Sequence, residues 1–290
     1  LFKPVVRPVK IPFEGKMLPG YFWSPDDSGK SRPTLFVSGG NDSWIEELFI
    51  MLAPGAYRRG YNFFTFDYPG HRGAVHLYPD CVKRPDFEVP FKAAFDYLET
   101  LPEVDDRIAL AGYSFGGYVA PRVTIHEPRV KALIPDCPLI NVYDITLKAW
   151  ESVIDNTIPR EKLQALMEEK LKNEPVFRAF REYSLWSLGF GGKTLIDWIK
   201  SDLVKQFSIV DDIKKISCPT LSLVSEDEGE LMLEQSKCFH EGISSNIKEL
   251  KILSLSKDGT NDHCQLDNLS VGQQLMFDWL DSIFEYRYSK

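Results

Sequence analysis

The run Gly112-Tyr113-Ser114-Phe115-Gly116-Gly117 constrains this chain more than any other stretch. It fits the pattern G-x-S-x-G and follows Arg107–Ala111, an apolar run that reads as a buried strand. The residues after it, Gly117 to His126, suit a helix. A serine at such a strand-to-helix corner is forced into a sharp turn. Glycines two residues before and after it let the strand and helix backbones approach that closely. The turn lifts the Ser114 hydroxyl out of the sheet and sets the backbone N–H of Phe115, at the helix start, to stabilise an oxyanion. The rest of the chain must then supply a base, an acid and a second oxyanion donor.

Apolar runs and helical stretches alternate around this corner. Residues 5–23 read as two strands about the turn Glu14-Gly15-Lys16. Strands follow at Thr34–Val37, Asn62–Asp67, Arg107–Gly112 and Val130–Pro135. Helices fall between them, from Asp42 or Ser43 as cap to about Tyr57, and from about Phe87 to Thr100. This alternation predicts right-handed βαβ units on a mostly parallel sheet, an α/β fold with helices on both faces.

After Pro138 the alternation stops. Residues 139–205 carry helical periods and no convincing strand. Leu163, Leu166, Met167 and Leu171 share one helix face, and Phe177, Phe180, Tyr183, Leu185, Trp186 and Leu188 follow. We read 139–205 as a helical cap or lid inserted into a core formed by 1–138 and 206–290. The sheet resumes at Pro219–Ser225, with a helix from about Glu230 to Glu241, a last strand at Leu250–Leu255 and a closing helix from about Gln265 to Tyr286.

At 290 residues, 43% of them hydrophobic, the chain can bury one large core. No run of about 18 apolar residues is present, so no transmembrane helix and no membrane partner are expected. The net charge of −8, with no Lys/Arg cluster, argues against nucleic acid. The five cysteines, 81, 137, 218, 238 and 264, show neither a C-x-x-C pair nor metal-ligand spacing. They read as reduced thiols of a cytoplasmic protein, and no metal is expected. The chain opens at Leu1, without signal- or transit-peptide character, and reads as the remainder of a longer polypeptide.

Acyl transfer by serine needs a base to take its proton and an acid to orient that base. Of the five histidines, His263 lies in the loop between the last strand and the last helix, which fits the order serine, acid, histidine. His71, after Pro69-Gly70, is the alternative; His76, His126 and His240 read as surface or packing residues. The acid belongs to the turn after Val224-Ser225. Spacing favours Glu228, with Asp227 the alternative, since one residue of register decides which carboxylate turns inward. The second oxyanion donor is expected from the loop Ser38–Asp42, from the N–H of Asn41 or else of Gly40. Each donor is worth about 3 kcal/mol of barrier lowering. Asp42 in this loop reads from the residues alone as a helix N-cap.

Taken together, the serine corner, the late histidine and the strand order resemble the α/β-hydrolase superfamily over nearly the whole chain. Gly39-Gly40-Asn41-Asp42-Ser43 with Glu46-Glu47, and His263-Cys264-Gln265, are similar to a smaller subgroup. It holds 2,6-dihydropseudooxynicotine hydrolase, fungal pigment hydrolases that shorten polyketides, and the fermentation–respiration switch protein. The resemblance implies cleavage of a carbon–carbon bond next to a carbonyl, in a polyketide-like or aryl diketone, with no cofactor. It implies a catalytic part for Asp42, whose position matches an acidic residue after the Gly-Gly pair. It also leaves room for a homodimer. A carboxylesterase or lactonase is the alternative, and a non-hydrolytic or ligand-binding homologue the third reading. The insertion's aromatics suit an aromatic small-molecule substrate and would equally serve as lid core.

Overall fold

In the computed structural model, residues 4–149, 159–190, 197–198 and 201–288 are described. Eight strands form one sheet: β1 (Arg7–Phe13), β2 (Lys16–Trp23), β3 (Arg32–Ser38), β4 (Asn62–Phe66), β5 (Val104–Tyr113), β6 (Val130–Asp136), β7 (Thr220–Ser225) and β8 (Lys248–Leu253). Their order across the sheet is β1-β2-β4-β3-β5-β6-β7-β8. β2 pairs antiparallel with both β1 and β4, and the remaining neighbours are parallel. The β1–β2 hairpin turns at Glu14 (φ 45) and Gly15 (φ 76), two left-handed residues whose twist matches that of the strands they join.

Helices α1 (Ile45–Arg59), α2 (Arg72–Leu77), α3 (Glu88–Leu98) and α4 (Gly116–His126) lie between the early strands. Buried strands with both faces covered alternate their side chains between two cores. Phe36, Phe64 and Leu110 pack with Phe91 and Phe95 of α3 and Val119 of α4. Leu35, Val37 and Ala109 face the other way, onto Leu48 and Leu52 of α1. The register aligns Ser38 with Gly112, Tyr113 with Asp136, and Asp136 with Leu223. The loops after β3, β5, β6 and β7 therefore leave the sheet together, at its carboxyl edge.

After β6 the chain makes a helical excursion through α5 (Val142–Ala149), α6 (Arg160–Asn173), α7 (Pro175–Ser187) and α8 (Asp202–Lys205). Its neck is closed by backbone bonds from Ile209 N–H to Ile140 O at 2.8 Å and from Val142 N–H to Phe207 O at 3.0 Å. α7 seats on the core: Tyr183, Leu185 and Leu188 are buried, and the Tyr183 hydroxyl donates to Gly70 O at 3.0 Å. Leu166 is half-exposed, so the apolar face expected of α6 is not buried there. The side chains of Leu163, Met167, Leu171, Phe177 and Phe180 lie outside the described residues. Helices α9 (Glu230–Gly242), α10 (Leu255–Asp258) and α11 (Leu269–Ile283) complete the chain.

Three expectations need correction. β8 begins and ends two residues earlier than the apolar run suggested, at Lys248–Leu253. The closing helix starts at Leu269 rather than near Gln265. Cys264 (φ 52) and Gln265 (φ 53) are both left-handed, a conformation no right-handed helix accepts. The cap of α1 is Trp44, not Asp42 or Ser43, and its N–H donates to Glu47 Oε2 at 3.4 Å.

Candidate active site

Ser114 sits at the corner between β5 and α4 with φ +57, a strained value for a residue with a side chain. The flanking glycines are required by close approach. A Cβ on Gly112 would lie 2.0 Å from Gly116 O, and one on Gly116 would lie 2.5 Å from Ser38 O. The corner is thereby wedged against the end of β3. Ser114 lines a cavity of about 330 Å³, whose wall also carries Asp42, Trp44, Arg72 and His263.

His263 reaches this cavity from a single 3-10 turn after β8. Its Nδ1 lies 2.7 and 2.8 Å from the two Glu228 carboxylate oxygens. Glu228 Oε1 also accepts from the Cys264 N–H at 3.4 Å. The Glu228 carboxylate is nearly buried while the imidazole is partly open to the cavity. The hydrogen bond to Glu228 raises the His263 pKa above the ordinary imidazole value, against the opposing effect of burial. A donor on Nδ1 leaves Nε2 as an acceptor, and its recorded partner among the described residues is Cys264 Sγ at 3.7 Å. Asp227, one residue earlier, turns outward and accepts from Asn261 Nδ2 at 2.7 Å. Of the two carboxylates weighed from sequence, Glu228 is the one brought to His263.

His71, the alternative base, lies behind Gly39 and does not line the cavity. It is fully buried, pairs through Nδ1 with Asp67, and stacks on Tyr68 with ring centroids 4.7 Å apart. His76 packs on Trp186 at 5.0 Å.

The loop after β3 presses directly on the serine: a Cβ on Gly40 would lie 2.8 Å from Ser114 Cβ. The Gly40 N–H is already committed, donating to Ser43 Oγ at 2.9 Å. That removes Gly40 from the candidate donors. Among the described residues the N–H groups of Asn41 and Phe115 have no acceptor. Tyr68 OH donates to Gly39 O at 3.0 Å and Arg72 Nε to Asp42 O at 2.9 Å, so the loop is held along its length.

Asp42 is on the cavity wall, but exposed. Tyr183 and Trp186 of the insertion are not on this wall. Tyr183 instead packs against the Arg72 guanidinium, whose carbon is 4.4 Å from its ring centroid and 4.5 Å from that of Trp44.

Sequence reasoning missed two buried groups behind the site. Asp136 ends β6 fully buried, accepts from Gln265 Nε2 at 3.2 Å, and is pushed up to about 7 by desolvation. A carboxylate closing an apolar strand was a signal that could have marked it. Gln265 is drawn inward by this bond, which accounts for its place outside the closing helix. Lys83 is the second, 3% exposed and bonded through Nζ to Asn41 Oδ1. Burial lowers its pKa to about 7. A single lysine in a loop carries no signal of burial. Cys137 stands near Glu228 and His263, with one donor atom of each within 4.8 Å of the others. The direct Nδ1–Oε1 contact marks an orienting hydrogen bond between the last two.

The alpha/beta hydrolase family profile matches residues 34–221, the span from β3 through the serine corner and the helical excursion into β7. The chain belongs to the alpha/beta hydrolase family. Among curated relatives of this hydrolase, Hydrolase LUC6 of a Fusarium species is 31% identical over 97% of the chain and 70% of its own length. The 20-hydroxy-prefusarin hydrolase FUS2 of Gibberella moniliformis is 29% identical over 98% of the chain and 71% of its own length. The crystal structure of 2,6-dihydroxy-pseudo-oxynicotine hydrolase superposes with a TM-score of 0.73 at 21% identity, covering 99% of this chain and 71% of that one. At that identity the likeness is one of fold. Among the described residues no helix is long and apolar enough to cross a membrane.

Proposed function

We propose that this hydrolase uses Ser114 as nucleophile, His263 as base and Glu228 as the orienting acid, on the carbonyl of a polyketide-like small molecule. The observation that carries this reading is the hydrogen bond of His263 Nδ1, shared between the two Glu228 carboxylate oxygens, on the wall of the cavity lined by Ser114. His263 Nε2 takes the hydroxyl proton as Oγ adds to the carbonyl carbon. The N–H groups of Phe115 and Asn41 receive the oxyanion. Collapse of the tetrahedral adduct expels the leaving group, which takes up the proton held by His263, and forms an acyl-enzyme with His263 neutral again. Water, deprotonated by His263, then releases the acid. None of these steps draws on a metal or an organic cofactor.

The subgroup resemblance supports a carbon leaving group, expelled as an enolate or electron-rich ring and protonated on carbon. Asp42 is the carboxyl that would assist it. Polyketide-like substrates gain support from the relative whose name specifies 20-hydroxy-prefusarin. A second reading, ester or lactone hydrolysis, is favoured by the exposure of Asp42, because His263 alone can protonate a leaving oxygen.

Asp42→Asn separates the two. The amide keeps the size of the side chain but delivers no acidic proton. For carbon–carbon cleavage, kcat/KM on a β-diketone or aryl ketone should fall about 100-fold or more, the lower end of general acid–base assistance. Hydrolysis of an activated aryl ester should be far less affected. Equal losses on both substrate classes, with thermal unfolding unchanged, would reject carbon–carbon cleavage and leave the esterase reading.

A further inference from the structure

Lys83 is nearly buried and its Nζ is turned to the side chain of Asn41, behind the cavity that Ser114 lines. Its surroundings are those of the oxyanion loop. Nζ bonds the side-chain oxygen of Asn41 and lies 4.6 Å from the ring centroid of Phe115, so it touches both residues proposed above as oxyanion donors. The other end of the same Asn41 amide, Nδ2, donates to Ser184 Oγ of α7 at 2.7 Å. The Lys83 backbone N–H donates to Ser187 O, at the end of that helix, at 2.6 Å. Gly70 (φ 84) closes the back of the pocket; a Cβ there would lie 2.4 Å from Lys83 Cβ.

This is an expensive way to fill space. A buried ammonium loses its hydration, and here the nearby Asp42 charge offsets only part of that loss, with no carboxylate among the described residues bonded to Nζ. An apolar residue of the same length would pack there without that loss. The Lys83 pairing does something an apolar residue does not: it pins the oxygen of Asn41 while α7 pins the nitrogen. With both ends of the amide held, the Asn41 side chain has one orientation, and so does the peptide that carries the donor N–H. The neighbouring glycines, Gly39 and Gly40, would otherwise leave that peptide free to turn.

We propose that Lys83 is a positioning residue for the oxyanion hole, clamping Asn41 between the core and helix α7 so that the Asn41 N–H is aimed at Ser114 only when the insertion is seated. The inference rests on Ser114 as nucleophile. It makes the helical insertion part of the catalytic apparatus through Ser184 and Ser187, not simply a cover.

The test uses a double-mutant cycle read on the acylation of Ser114 by an aryl fluorophosphonate, which requires the oxyanion donors and no knowledge of the natural substrate. Lys83→Met keeps the stem and removes the clamp; Asn41→Ala removes the clamped amide but keeps the backbone donor. Each should lower the maximal labelling rate by about tenfold, within what an oxyanion donor is worth, and leave the half-saturating concentration of the reagent within about twofold. The double variant should be no slower than the slower single, because both changes cut one linkage. Ser184→Ala should lower the same rate in the same direction, and less.

A Lys83→Met rate within about twofold of wild type, losses that multiply in the double variant, or a change confined to reagent binding would each overturn the clamp. Should Lys83→Met fail to fold, Asn41→Ala with Ser184→Ala makes the same cycle, and multiplying losses there would overturn it equally. Wild-type protein that does not react at all would instead withdraw the nucleophile, and the clamp with it. The two failures are thus distinct.

Discussion

Glu228 reaches His263 because the chain after β7 makes a single 3-10 turn, Glu226–Glu228, ending at Gly229 with φ +88. That turn points one carboxylate inward and leaves Asp227 to bond Asn261. The sequence narrowed the acid to two neighbours, and could go no further, because the register of a three-residue turn is set by its fit against the histidine loop. The pairing has a consequence in pH. A base must be neutral to accept a proton, so a raised His263 pKa moves the acid limb of the kcat/KM profile to higher pH. Glu228→Gln removes the charge that raises it. The limb should shift to lower pH, toward the ordinary imidazole value, while the plateau falls by about 100-fold or more as the imidazole loses its orienting acceptor. An unchanged limb in the Glu228→Gln profile would mean that another group orients the histidine.

At the scale of elements, the strands and most helices were legible because apolar runs and turn residues announce them. The corner at Ser114 was legible for the same reason, since its glycines stand where backbones must touch. Gly112→Ala tests that directly. The new Cβ would meet Gly116 O at 2.0 Å, backbone against backbone, with no flexible side chain to give way. The variant should lose more than about 2 kcal/mol in chemical unfolding, well beyond a helix- or strand-propensity effect, or fail to fold. A loss below about 1 kcal/mol would show that the corner is not packed as described. The boundaries that sequence misplaced have specific causes. The closing helix begins late because Gln265 is pulled inward by Asp136, and α1 is capped at Trp44 because Ser43 is engaged with Gly40. Both are long-range or loop-internal contacts that no periodicity records.

The whole molecule converges on one edge of the sheet. The loops after β3, β5, β6 and β7 meet there, and the excursion between Ile140 and Ile209 leaves and returns on a single paired neck. That helices would follow β6 before the next strand was visible as a break in strand alternation. That they would reach Asn41 through Ser184 was not, since this depends on how the excursion folds back. The central claim, that Ser114 is an activated nucleophile served by His263, is tested most directly by mapping the adduct of an aryl fluorophosphonate by mass spectrometry. Wild-type protein should carry one adduct, on Ser114. It should vanish in Ser114→Ala and form at least about 100-fold more slowly in His263→Ala, with thermal unfolding preserved in both. A folded wild-type chain that takes no label, or takes it on another residue, would contradict the account.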